Sequence, residues 1–252
     1  MARRDEIVRY LDETLEAALY RDHLPLGLQV PGAAEVDHVC TAVSASLDVF
    51  ERAAAAGAQM LVVHHGLFWD GSPRRIGVLE RRRLESLFTN DLSLVAYHLP
   101  LDGHSELGNN AVLAAMLGLD DVAPFGDYRG RLLGRYGSLP VPEPAAALAA
   151  RLGAAIGSRP LVFAGGNDPV RSVGVISGGA AKEIAAAADL DLDCFITGEP
   201  DEDSQYLAAE LGVTMIAAGH YATETVGVRA VGQRLAKKFG VTTSFLAVDN
   251  PV

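Results

Sequence analysis

Two stretches of this chain lie over each other without a gap. "SASLDVFERAAAAGAQMLVVHH" (44–65) matches "SGGAAKEIAAAADLDLDCFITG" (177–198) in pattern when Ser44 is set over Ser177. Each reads as the end of a strand, an alanine-rich helix and a second strand. His64 then falls on Thr197 and His65 on Gly198. The next strand of each stretch ends in a matching unit, "HLPLD" (98–102) and "HYATE" (220–224). A doubled strand–helix–strand unit restricts the fold to two similar α/β lobes.

The rest of the chain fits that frame. Apolar positions Ile7, Val8, Leu11, Leu15, Ala18 and Leu19 recur at helical spacing and predict an amphipathic opening helix. Strand patterns follow at 36–44, 59–64, 92–97, 171–177, 193–197, 213–218 and 241–248. Helical patterns fall at 46–57, 76–89, 109–118, 143–154, 180–188, 203–211 and 224–239. Such alternation argues for largely parallel sheets. The Gly- and Pro-rich middle, 120–142, carries one short strand-like run at 131–138 and reads as a joint. The expectation is a first lobe over 1–125 and a second over 126–252, related by a pseudo-twofold axis with a cleft between them.

Bulk properties exclude several partners. The 252 residues hold 21 Lys and Arg against 32 Asp and Glu, a formal charge of −11. An acidic surface repels phosphate backbones and anionic headgroups, which argues against nucleic acid and membrane surfaces. The basic run 74–85 reads as the solvated face of a helix. No window holds the roughly 18 apolar residues of a membrane span, and the charged N-terminus lacks a signal-peptide core. The two cysteines, Cys40 and Cys194, lie in apolar runs and read as core residues, not a disulfide. A cytoplasmic protein is expected.

Chemistry gathers at the strand ends, where parallel α/β sheets bind their ligands. Four of the seven histidines, His64, His65, His98 and His220, stand there with Asp102 and Glu224. Adjacent strand residues point to opposite faces, so His64 and His65 converge only if the strand stops, which Gly66 permits. His220 and Glu224 are four apart and share a face if a helix begins there. Taken singly, each is a satisfied histidine or a solvated acid. Together they offer imidazole and carboxylate without thiolate, a set suited to Zn, Mn, Fe or Co. Five or six donors exceed the about three that one catalytic metal takes from protein, which suggests two divalent ions. Such a pair can hold a bridged water as nucleophile.

Phosphate loops of the G-x-x-x-x-G-K-[ST] and G-x-G-x-x-G kinds are absent, as are G-x-S-x-G and H-E-x-x-H. "ISGGAAKE" (176–183) offers backbone N–H groups to an anion, though a plain connecting turn is the simpler reading. Glu199, after the strand end 193–197, is either a cleft residue or a surface acid.

The motifs "VVHHGLF", "YHLPLDGHSELGNNAVLAAMLGL", "FITGE" and "AAGHYATETVGVRAV", in that order, resemble the NIF-three-like family in its short, bacterial form. Its members often carry the name GTP cyclohydrolase I type 2 homolog. The resemblance runs from "GLQV" (27–30) to "DNPV" (249–252). It implies a two-lobed α/β fold, a dinuclear metal centre and ring-shaped homohexamers. Position by position, it implies His64, His65, Asp102, His220 and Glu224 as metal ligands. It leaves His98 as a neighbour that supports a ligand or shuttles protons. The chain departs from the family pattern at "RDHLPLGLQV", where Trp-Asp-Asn is usual, at Gly66, where Pro is usual, and at "PDEDSQ", where a further histidine is usual. The implied activity is a metal-dependent hydrolase on a small molecule, a nucleotide such as GTP, with Arg74, Arg75 or Lys182 meeting phosphates. The alternative is a non-enzymatic metal-binding scaffold or regulatory protein.

Overall fold

The computed structural model describes residues 1–72 and 75–252. Arg74, one of the cations considered for phosphate, lies outside the described residues. In chain order the elements begin with β1 (Ala2–Arg3), α1 (Arg4–Thr14), β2 (Gly27–Val30), β3 (Glu35–Val36), β4 (His38–Ser44), α2 (Leu47–Ala55), β5 (Met60–His65), α3 (Val78–Thr89), β6 (Ser93–Ala96) and α4 (Leu99–Gly103). Next come α5 (Asn109–Leu117), β7 (Asp120–Tyr128), β8 (Arg131–Glu143), α6 (Ala145–Ile156), β9 (Leu161–Phe163) and β10 (Val170–Val175). The chain closes with α7 (Ile184–Ala188), β11 (Cys194–Thr197), α8 (Ser204–Leu211), β12 (Thr214–Ala217), α9 (His220–Phe239) and β13 (Thr242–Phe245). No described helix is long and apolar enough to cross a membrane.

The chain forms two compact units: Met1–Leu101 with Val228–Asp249, and Asp102–Gly227 with Asn250–Val252. These bounds differ from the expected split at 125/126, and strand pairing supplies the reason. β7 and β8 form a hairpin whose second strand runs antiparallel to β10, so 120–143 belongs to the second sheet. At the other end β13 pairs in parallel with β4 and returns to the first sheet. The stretch expected to be a joint is thus a pair of long strands, closed where Tyr128 faces Arg131 across a two-residue turn. Arg129 and Gly130 both have positive φ, 54° and 84°, the geometry a tight hairpin demands.

The first unit holds a five-stranded sheet, order β13-β4-β5-β6-β2, parallel except for β2. Its central strand reads MLVVHH and is buried residue after residue until His65, as expected for a parallel strand covered on both faces. Helix α2 starts on Ser46, whose side chain accepts the Val49 N–H, and buries Val49, Phe50 and Ala53. In α3 only Leu87 is buried, which leaves Arg81 and Arg82 in solvent.

The second unit holds a six-stranded sheet, order β7-β8-β10-β11-β12-β9. Alternation along its parallel strands divides the core into two layers. Cys194, Ile196 and Ile216 join Val173 and Val175 under α5 and α6. Phe195 and Met215 face the other way, toward Ile184, Ala187 and Ala208 of α7 and α8. Both cysteines are buried and unbridged. Within each unit the same four-strand topology recurs: β4-β5-β6 parallel with the earlier strand β2 antiparallel beside β6, and β10-β11-β12 parallel with the earlier strand β9 antiparallel beside β12. The sequence repeat is therefore a repeat of fold topology.

Candidate metal centre

The first unit gathers three imidazoles. Strand β5 ends at His65, paired with Ser44 at the end of β4, and β6 runs out through Tyr97 to His98. Because β5 stops there, the two adjacent histidines escape strict alternation. The ring centroids of His64 and His65 are 4.7 Å apart, and His98 lies 5.0 and 5.6 Å from them. One nitrogen of each ring lies within 4.8 Å of the other two.

Each of these rings is held at Nδ1. His64, wholly buried, has Nδ1 3.1 Å from the Tyr97 carbonyl. A carbonyl only accepts, so Nδ1 carries a proton, and in the neutral ring Nε2 is the nitrogen that can ligate. Asp22 does the same for His98 at 2.8 Å, and its side chain is only 1% exposed. Burial works to raise the Asp22 carboxyl. The hydrogen bonds from His98 and from the His23 and Leu99 N–H groups outweigh burial and hold it below the usual carboxylate range. Ser44 Oγ lies 3.2 Å from His65 Nδ1. Histidines held this way at one nitrogen are prepared to offer the other to a metal.

The second unit gathers two carboxylates and a fourth imidazole. Helix α9 begins at His220, four residues earlier than the sequence pattern implied, and so stacks His220 over Glu224 with Nε2 and Oε1 3.1 Å apart. Glu199 stands 3.3 Å from Nδ1 of the same ring. Burial alone would lower the His220 pKa; Glu224 and then Glu199 overcome it and push it up to about 9. The backbone of residue 178 lies against this pair. Its φ is +69°, and a Cβ there would come 2.4 Å from Glu224 Oε1, so the position demands glycine.

Asp102, in α4, accepts on Oδ1 from Asn109 Nδ2 at 2.9 Å and from Ser177 Oγ at 3.1 Å. Asn109 in turn accepts the Gly227 N–H, and Asn110 accepts the Ser177 N–H. Carboxylate oxygens of Asp102 and Glu224 lie within 4.8 Å of each other, and these residues are only 7% and 2% exposed. Two buried carboxylates so close repel unless a cation or a proton stands between them. Oxygen and imidazole donors suit a borderline divalent ion, so the residues present fit one.

The first unit thus brings together His64, His65 and His98; the second brings together Asp102, His220 and Glu224. The sequence reading did not single out Asp22, Ser44, Asn109 or Ser177 as supports, and it left Glu199 open. One signal existed: Ser44 and Ser177 are equivalent in the repeat, and each touches a candidate donor. Lys182, considered for phosphate, is bound to Asp203 at 2.7 Å and sits 3.4 Å from Asp201.

The sequence profile of the Duf34/NIF3 (NGG1p interacting factor 3) family matches residues 2–251. A Deinococcus radiodurans protein named GTP cyclohydrolase 1 type 2 homolog is 42% identical over 243 residues, covering 96% of this chain and 92% of its own. A Pyrococcus horikoshii protein of the same name is 42% identical over 252 residues, covering 98% of each. Among solved structures, one described as protein ybgI, of unknown function, superimposes with a TM-score of 0.94 over 100% of both chains at 38% identity. The profile match over residues 2–251 and the 42% identity across nearly the whole chain show it: the chain belongs to the Duf34/NIF3 family.

Proposed function

We propose that the imidazole and carboxylate donors described above bind two divalent metal ions, and that the protein is a metal-dependent hydrolase. His64, His65, Asp102, His220 and Glu224 hold the two ions. The observation that carries this reading is the pair of buried carboxylates, Asp102 and Glu224, within 4.8 Å of each other.

Divalent ions held there would polarise an electrophilic carbon or phosphorus and acidify water near neutral pH. The chain's own residues do the rest. His98, oriented by Asp22 at Nδ1, would take a proton at Nε2 and return it to a leaving group. Asn109 and Ser177 hold Asp102 through its Oδ1. The substrate is a small molecule, and the name its relatives carry points to a nucleotide such as GTP. Assembly as a homohexamer is part of the same reading, and light scattering of the purified protein measures it.

The deciding experiment loads the protein with Zn, Mn, Fe or Co in turn and follows GTP by chromatography. Ring-opened or hydrolysed product, abolished in His65→Ala and Glu224→Ala, supports the hydrolase. Stoichiometric metal with no turnover of GTP under any ion refutes the GTP assignment and favours the scaffold reading. Absence of bound metal refutes the centre itself.

A further inference from the structure

His220 is gripped from both sides, by Glu224 at Nε2 and by Glu199 at Nδ1, 3.1 and 3.3 Å away. The second contact has no place in the ligand set proposed above. We propose that Glu199 is a positioning residue for the metal centre: it accepts the Nδ1–H of His220 and so fixes the ring in the tautomer that presents Nε2 to an ion. This inference rests on the metal reading of the preceding subsection.

Three observations carry it. The first is recurrence. His64 and His98 are held at Nδ1 by oxygens that only accept, the Tyr97 carbonyl and the Asp22 carboxylate. Glu199 does for His220 what Asp22 does for His98. The second is that the backbone fixes where Glu199 starts. The N–H groups of Gly198 and Glu199 both donate to the Gly178 carbonyl, at 2.9 and 3.2 Å, tying the end of β11 to the turn after β10. The third is a slot kept open for the contact. A Cβ at position 179 would come 2.9 Å from Glu199 Oε1 and 3.7 Å from His220 Cε1. Any side chain there would push the carboxylate off the ring. The Glu199 side chain is 43% exposed, so the contact costs little desolvation.

Metal-orienting partners of this kind are typically worth 10- to 100-fold in affinity. The test is Co²⁺ binding, by competition with a chelator and by the d–d absorption of the bound ion, in the full chain. The wild-type protein is compared with Glu199→Ala, Glu199→Gln and Gly179→Ala, and thermal melts of the metal-free proteins control for folding. Glu199→Ala is expected to weaken Co²⁺ about 10-fold or more and to alter the spectrum. Glu199→Gln should recover most of the loss, because its amide oxygen still accepts from Nδ1–H. Gly179→Ala should weaken binding although Glu199 is intact. Wild-type binding with all three variants within 2-fold of it would overturn the role of Glu199 and leave the metal centre standing. A wild-type protein that takes up no Co²⁺ would overturn both.

Discussion

Residue 178 allows the link between backbone and site to be tested against an internal control. Gly178 and Gly157 both have positive φ, +69° and +76°. Alanine in that region costs about 1 kcal/mol relative to glycine. At Gly157, which caps α6, a Cβ meets nothing within 4 Å, so Gly157→Ala should show that cost alone. For a chain of this size it amounts to a fall in Tm of roughly 2–4 °C. At Gly178 the same cost applies, and the Cβ also stands 2.4 Å from Glu224 Oε1 and 3.2 Å from His220 Nε2. Ordinary contact begins at 3.4 Å, so the carboxylate must retreat by 3.4 − 2.4 = 1.0 Å. Metal–oxygen bonds are about 2.0–2.2 Å long for zinc, and a displacement of that size breaks one. Gly178→Ala should therefore lose at least about 10-fold in metal affinity beyond anything seen in Gly157→Ala. Melts of the metal-free proteins and isothermal titration with Zn²⁺ measure the two quantities. Equal metal affinity in the two variants would refute the placement of residue 178 against the donor pair.

Asn109→Ala should destabilise the protein by about 2–3 kcal/mol in urea unfolding, because it strips a donor from Asp102 and an acceptor from the Gly227 N–H where Asn109 is wholly buried. Asp22 has a depressed pKa, so its stabilisation is present above about pH 4 and is lost as pH falls through the lower folded value. Asp22→Asn should accordingly flatten the acid limb of stability measured from pH 5 downward. His220 behaves in the opposite sense. Its pKa is raised to about 9 in the metal-free protein, so its contribution is complete below about pH 6.5 and vanishes as pH rises through 9. Urea midpoints of metal-free protein from pH 6 to 10 should show that loss, and His220→Gln should remove it.

The parallel strands and the donors were legible because each left a local pattern. β4, β5, β6, β11 and β12 are largely apolar runs buried on both faces, β10 is buried continuously only from Val173 to Val175, and four of the histidines stand at or just past strand ends. Of the β7–β8 hairpin only the run 131–138, which lies inside β8, was legible. Gly126, Gly130, Gly134 and Gly137, with Pro124 and Pro140, break its apolar alternation, and its pairing with β10 is decided far along the chain. The short antiparallel strands β2 and β9 have too few residues to show a period. Supports such as Asp22 carry no spacing signal at all: Asp22 and His98 are 76 residues apart, and only the fold makes them neighbours.

The return of β13 sets an order of events during synthesis. Residues 38–65 leave the ribosome early, but the edge of β4 receives its partner only after Thr242–Phe245 have emerged. Until then β4 presents an open, hydrogen-bonding edge of the kind that recruits other chains. The half of the molecule that is made first is therefore completed last. Cutting the gene at the midpoint would give an N-terminal fragment short of a strand, whose natural complement is a peptide spanning β13.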